Sequence, residues 1–164
     1  MRSGGSGAAA VCSAAAAVSR RMDLQLLLRT LEPVLNEGVW VYVCVPRDAE
    51  ARLDWASVAS SVREREGLSA VLPEEEAARL GLTPLYRAAW ITLTVNSDLT
   101  AVGLTAAFAA ALGAERISCN VVAGALHDHI FVPHEEAARA LEALRRLQRN
   151  AAAAAAADAA PAAT

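Results

Sequence analysis

The chain contains no lysine. All 15 of its basic residues are arginine, so there is no amine for a Schiff base and no lysine for a Walker-type phosphate loop. Aromatic residues make up 4% of the 164 positions, and no apolar run approaches the length of a membrane span, which needs ~20 residues. Cysteine is scarce too: Cys12, Cys44 and Cys119 show no C-x-x-C spacing. Cys44 and Cys119 fall within apolar strand-like runs, where a reduced cysteine behaves as a small hydrophobe, and this fits a reducing compartment. An excess of positive charge is missing as well. The formal net charge is −3, and residues 23–149 hold 12 arginines against 17 acids, a balance of −5. A nucleic-acid surface needs the opposite, a basic stripe.

The two ends read differently from the middle. Residues 1–22 are mostly Gly, Ala, Ser and Arg, with no acid, and residues 150–164 are almost pure alanine. The first segment has some character of an organelle transit peptide, and the plainer reading is a composition-biased extension upstream of Met22. The expected location is therefore the cytoplasm, or a plastid or mitochondrion if residues 1–21 are a transit peptide. Alanine favours helix, but the tail offers no apolar stripe large enough to dock. The fold is expected within residues 23–149.

Within that core the chain repeats itself. Val71–Arg79 aligns with Phe131–Arg139 at an offset of 60 residues, and P-x-E-E-A-A-R is common to both. Each copy reads as a strand end, a proline in a helix's first turn, and acids that stabilise the helix N-terminus. Upstream of the second copy, the patterns predict a strand at 91–95, a helix near 101–112 and strands near 116–123 and 127–132. Upstream of the first they predict a strand at 39–45, a helix near 54–65 and a strand at 68–72. Tyr86–Val95 is long enough to close one sheet and open the next. The expectation is an α/β sandwich built twice, antiparallel sheets with helices on one face. The second unit lacks a closing strand, because only alanine follows its last helix. Strand 39–45 is therefore expected to pair into the second unit's sheet, since an open edge invites aggregation. Leu24–Leu31 is amphipathic and reads as a helix ending near Pro33.

The stretch from Trp90 to Pro133 holds the candidate chemistry. A strand runs into the polar turn Asn96-Ser97-Asp98, and a helix then opens at Gly103. Backbone N–H groups at such a helix start can meet a small anionic ligand. Gly103 either allows that approach or packs the helix against a strand. Asp98 either receives a ligand's ammonium group or, like Ser97, caps the helix. Asn120, inside an apolar strand, needs partners if it is buried. His127 and His129 share a strand face, with Asp128 on the other. H-x-H is half of a zinc site, but no third ligand completes it locally, so hydrogen bonding near the unit interface is preferred and no metal is expected. Trp40 and Trp90 read as core or interface anchors, and Trp55 as a cover for the first unit's sheet. No nucleophile–base pair is present, so no catalytic residues are assigned.

These motifs resemble a known family. W-I-T-L-T-V, S-D-L-T-A-V-G-L-T-A-A, I-S-C-N-V-V-A-G and H-D-H-I-F-V-P, with G-V-W-V-Y-V-C-V-P and L-S-A-V-L-P-E-E-E-A in the first half, are similar to small tandem ACT-domain proteins. The second half is similar to the regulatory ACT units of aspartate kinases. The resemblance spans residues 24–146. It implies two ferredoxin-like βαββαβ units, 23–88 and 89–149, with possible strand exchange between them. It also implies an amino acid bound where two units meet, and a homodimer or higher homo-oligomer. Its ligand loop falls on Asn96, Ser97, Asp98, Val102, Gly103 and Leu104, flanked by Asn120, with His127 and His129 nearby. The chain departs from the commonest pattern, which places a proline before the glycine; here Ala101-Val102 precedes Gly103. The implied function is a non-enzymatic regulatory protein without cofactor, nucleic acid or membrane partner. The alternatives are an oligomerisation module without ligand and, more remotely, a metal-binding protein.

Overall fold

A computed structural model describes residues 24–95, 99 and 101–158. Its centre is one antiparallel sheet of seven strands. These are β1 (Pro33–Leu35), β2 (Trp40–Val45), β3 (Ser60–Arg63), β4 (Leu68–Pro73), β5 (Tyr86–Leu93), β6 (Asn120–Ala123) and β7 (Asp128–Pro133). The order across the sheet is β3-β4-β2-β5-β7-β6, with β1 also paired to β5. Among the described residues five helices accompany them: α1 (Leu24–Arg29), α2 (Arg47–Glu50), α3 (Glu74–Leu80), α4 (Leu104–Ala114) and α5 (Ala137–Asp158), the last entered through a 3-10 turn at His134–Glu136.

The strands alternate, and the alternation sorts the core. Val41, Val43 and Val45 pack with Leu68, Ala70 and Leu72 under α2 and α3. Ile91, Leu93, Ile130 and Val132 pack under α1, α4 and α5 with Leu27, Leu104, Phe108 and Leu144. Phe108, Leu112 and Leu144 are fully buried. Burying side chains of this size contributes about 1.5–3 kcal/mol each before entropy is charged against it. All of these core residues lie on one face, so the helices cover one side of the sheet.

The doubling expected from the repeat is present, and β5 is the hinge of it. Tyr86–Ala88 pair with Trp40–Tyr42 of β2, while Ile91–Leu93 pair with Pro33–Leu35 of β1. The first half of β5 thus closes the order β5-β2-β4-β3, and its second half opens the order β1-β5-β7-β6. Each is the strand order of a ferredoxin-like βαββαβ unit. The expected exchange is real, with a shift of position. β2 does reach β5, but the place of the second unit's missing fourth strand is taken by β1, just upstream. Asn36 bridges the two: its N–H and its Nδ2 donate to Trp90 O at 2.8 and 3.1 Å, and Nδ2 also donates to Thr92 Oγ1 at 2.9 Å. Trp40–Val45 and Trp90–Val95 share one burial pattern, position by position. Antiparallel pairing of two equivalent strands relates them by an approximate twofold axis, and the equivalent indoles of Trp40 and Trp90 meet there edge to face, 4.6 Å apart.

The repeated P-x-E-E-A-A-R has a mechanical reading. Glu76 and Arg79 form an ion pair at 2.7 Å, and Arg79 donates to the carbonyl of Arg52, just past the end of α2, at 2.7 Å. Glu136 and Arg139 pair at 2.6 Å, and Arg139 donates to the carbonyl of Glu115, at the end of α4, at 3.0 Å. In each unit the motif's arginine fastens the C-terminus of the preceding helix, where carbonyls lack intrahelical partners. Arg79, with the Asp54 backbone N–H, pulls the Glu76 carboxyl down to about 2.

Four expectations need correction. The helix near 54–65 does not form. α2 occupies 47–50, Asp54 organises a turn by accepting from the N–H of Ala56, and Ser60–Arg63 becomes an edge strand on β4. Trp55 does not cover the sheet; it is 53% exposed. Cys44 is exposed on its strand rather than packed as a hydrophobe. The alanine tail does dock in part, because α5 continues to Asp158 and Ala151 is buried in the second unit's core.

Candidate functional site

The second unit's candidate site is built where β5 hands the chain to α4. Asn96, Ser97 and Asp98 lie outside the described residues, so the loop is defined by what flanks it. On its far side, Val102 is 88% exposed and Leu104 is 2% exposed. Leu104 therefore anchors the helix start in the core and can offer a ligand only its backbone. Gly103 lies between them with φ +98°, left-handed backbone that favours glycine. A Cβ there would stand 2.9 Å from Leu24 Cδ2 of α1. Gly103 thus admits close packing of helix α1 rather than of a strand, and it leaves the helix start without a side chain over it. The residue at its N-cap, Gly103, has no side chain with which to cap α4. Its first-turn N–H groups have no intrahelical acceptors, and they carry the positive end of the helix dipole.

Behind the loop lies β7. Asp128 is 8% exposed and pairs across the strands with Leu93, on the helix-covered face. His127, one residue earlier, places Nδ1 3.5 Å from the carbonyl of Val95, the last described residue before the loop. A half-buried imidazole and a buried carboxylate thus stand at the same end of the sheet as the helix start. From the sequence, Asp128 is on the face opposite the two histidines and has no ligand role. The signal that marks it is the alternation itself, which turns it toward the helices while both histidines face away.

Asn120 and His129 sit elsewhere. Asn120 is exposed at the start of edge strand β6, not buried, and its Nδ2 donates to Phe131 O at 3.5 Å. It lies opposite Phe131, on the face without helices, so the sheet separates it from Gly103. His129 is on that same face. Its Nδ1 accepts from Trp90 Nε1 at 3.1 Å and lies 3.2 Å from Thr92 Oγ1. An indole N–H can only donate, so the ring proton of the neutral imidazole is on Nε2. Burial lowers the His129 pKa, the nearby His127 lowers it further, and Asp128 opposes both. His129 thus belongs to a hydrogen-bonded chain with Trp90, Thr92 and Asn36 at the junction of the units. Among the described residues, no group of three or more His, Cys, Asp or Glu side chains has the geometry to hold a metal ion. No helix among them is long and apolar enough to cross a membrane.

The first unit carries no counterpart of the α4 start. After β2 the chain enters α2, four residues preceded by Pro46, with no side-chain cap. Its loop is spent on the Asp54 turn that the Glu76–Arg79 pair holds in place.

ACT-domain family models match residues 21–89 and 86–146. No curated protein matches the chain. Among solved structures, a Vibrio cholerae protein described as of unknown function and a possible transport protein is 43% identical over 76% of this chain and 95% of that one, with a TM-score of 0.67. The regulatory subunit of aspartate kinase from Thermus thermophilus, in a ligand-free form, is 11% identical over 70% and 95% of the two chains, with a TM-score of 0.54. Aspartokinase III from E. coli, in complex with aspartate and ADP, is 14% identical over 70% and 32%, with a TM-score of 0.52. The likeness to these two is one of fold.

Proposed function

From the premise that this chain belongs to the ACT-domain family, with two units in tandem, we propose that it is a non-enzymatic regulatory protein that binds an amino acid. Domains of this family are typically regulatory amino-acid-binding modules. Residues 23–88 and 89–149 act as its two units, and the ligand belongs to the second. The observation that supports this most is the start of α4. It opens at Gly103, which carries no side chain, at the end of the sheet where the buried Asp128 pairs with Leu93. The loop residues Asn96, Ser97 and Val102, with Gly103 and the Leu104 backbone, receive the ligand's carboxylate at the helix start, and Asp98 receives its ammonium group. Asp128, on the helix-covered face, adds a second carboxylate for that ammonium group, and His127 reaches the loop only through the carbonyl of Val95. Asn120 and His129, on the other face, can contribute only through a second unit that reaches the sheet edge. The ligand acts by favouring one arrangement of the units over another, the only way binding can shift an equilibrium. The protein works as a homodimer or a larger homo-oligomer.

A screen of the standard amino acids at millimolar concentration, read as thermal shift, tests the reading. At 100 times the dissociation constant a ligand adds about 2.7 kcal/mol to stability. At least one amino acid should raise Tm, and Asp128→Asn should weaken that response. No shift with any of them overturns the ligand and leaves the second reading, an oligomerisation module. The reduced α2 favours that second role for the first unit.

A further inference from the structure

The face of the sheet that the helices leave uncovered carries no Asp, Glu or Arg at any described strand position. The pairing register defines it. Ser60 and Val62 of β3 lie opposite Val71 and Ser69 of β4. Trp40 and Tyr42 lie opposite Ala88 and Tyr86, and Trp90 and Thr92 lie opposite Phe131 and His129. Asn120 and Val122 complete it on β6. The arginines and acids of the described residues start instead on the helical side, at strand ends and in turns; one of them, Glu64 in the turn after β3, reaches the margin of the face, where its carboxylate accepts from Ser69 Oγ at 2.5 Å.

The uncharged face is patterned. Trp90 stacks on Phe131 at 5.8 Å, Tyr42 meets Phe131 and Tyr86 edge to face at 5.7 Å, and Trp40 joins Trp90 at the approximate twofold axis. This aromatic ridge already buries Phe131, Val71 and Ala88 beneath it. Beside it stand small residues, Ser60, Ser69 and Cys44, and apolar ones left open to solvent, Val62 at 57% and Val34 at 42%. Aromatic enrichment with charge depletion is the composition of an interface centre.

We propose that this face is the contact surface for a second copy of the chain, packed sheet on sheet. The inference rests on the oligomeric part of the function proposed above and names its surface. Charge selects the occupant. A membrane headgroup layer or a nucleic acid would call for arginines here, and there are none. The aromatic centres of two copies meet without stranding a charge, with the Glu64 carboxylate left at the rim, and a face with its own approximate twofold presents matching ridges to a copy of itself. The extent fits as well. Six strands side by side at about 4.8 Å, each about 18 Å long, give a footprint of about 29 by 18 Å. That is of the same order as the ~800 Å2 each partner contributes to a standard interface. Two such sheets pack face to face at about 10 Å.

Sedimentation velocity of the full chain over micromolar concentrations is the test, with Cys44→Lys and Val62→Lys as variants. Both side chains are exposed in the single chain, so a lysine there leaves the fold intact, which circular dichroism checks. A wild-type dimer, with dissociation raised at least ~100-fold in C44K, supports the face. If C44K does not fold, Val34→Lys makes the same test from β1. A dimer that persists in folded C44K and V62K overturns this surface while leaving the oligomer standing. A wild-type monomer overturns both.

Discussion

At the scale of single residues, the structure assigns different work to two histidines that the sequence presented as a pair. His127 is turned to the end of β5, while His129 accepts from Trp90 inside the inter-unit network. That difference has a pH signature. The folded state holds the His129 pKa below the ordinary value, burial first. An unfolded chain takes up the proton near pH ~6.5. As pH falls through that value the unfolded state gains a proton that the folded state refuses, so stability is full above it and declines toward the lower folded value. The carboxylates of Glu50, Glu74, Glu76 and Glu142, held below the ordinary glutamate range by their arginine partners, contribute only further down. Urea midpoints measured from pH 8 to pH 5 should therefore fall across the upper part of that range, and His129→Gln should flatten the fall. An unchanged slope in the variant would remove His129 as its source. Where the sequence misled, it did so through environment: Asn120 has the residue type of a buried anchor but sits at an exposed edge, which no local pattern records.

At the scale of elements, what was legible was whatever carries its own period. The alternation of Trp40–Val45 and Tyr86–Val95, the proline-led helices after β4 and β7, and the double use of β5 all follow from residue spacing. The helix near 54–65 was misread because Ala56-Ser57-Val58-Ala59 is neutral in propensity. Pairing with β4 and the turn held by Glu76 decide the outcome, and both are distant in sequence. β1 escaped notice for a related reason: three residues beginning with proline have no period to read. Its contribution can be measured. Thr94 N–H donates to Glu32 O, and Asn36 N–H donates to Trp90 O. Alternation then makes Val34 and Thr92, midway between, a mutually hydrogen-bonded pair. Val34 is 42% exposed, so Val34→Pro tests the ladder rather than the core. It should cost about 2–3 kcal/mol by losing a donor and stranding an acceptor, while Val34→Thr should be nearly neutral in the same urea titration. A neutral proline would mean that the second unit does not depend on β1.

At the scale of the molecule, the exchange of strands means that neither unit closes its own sheet. The first takes its fourth strand from β5, which is the second's first strand, and the second takes its fourth from β1, which precedes the first. A break between the units would have to separate β2 from β5, tear the Asn36 bridge and part Trp40 from Trp90. Two family matches in tandem would ordinarily suggest two transitions on unfolding, one for each domain. The shared strand argues for one. Scanning calorimetry at the concentration used for sedimentation should give a single transition whose calorimetric and van't Hoff enthalpies agree per cooperative unit. A ligand held at the start of α4 should then raise the stability of the first unit as much as that of the second. Two resolved transitions, with only the later half stabilised by ligand, would show that the units fold independently. In that case the joint sheet would be a means of attachment, not of communication.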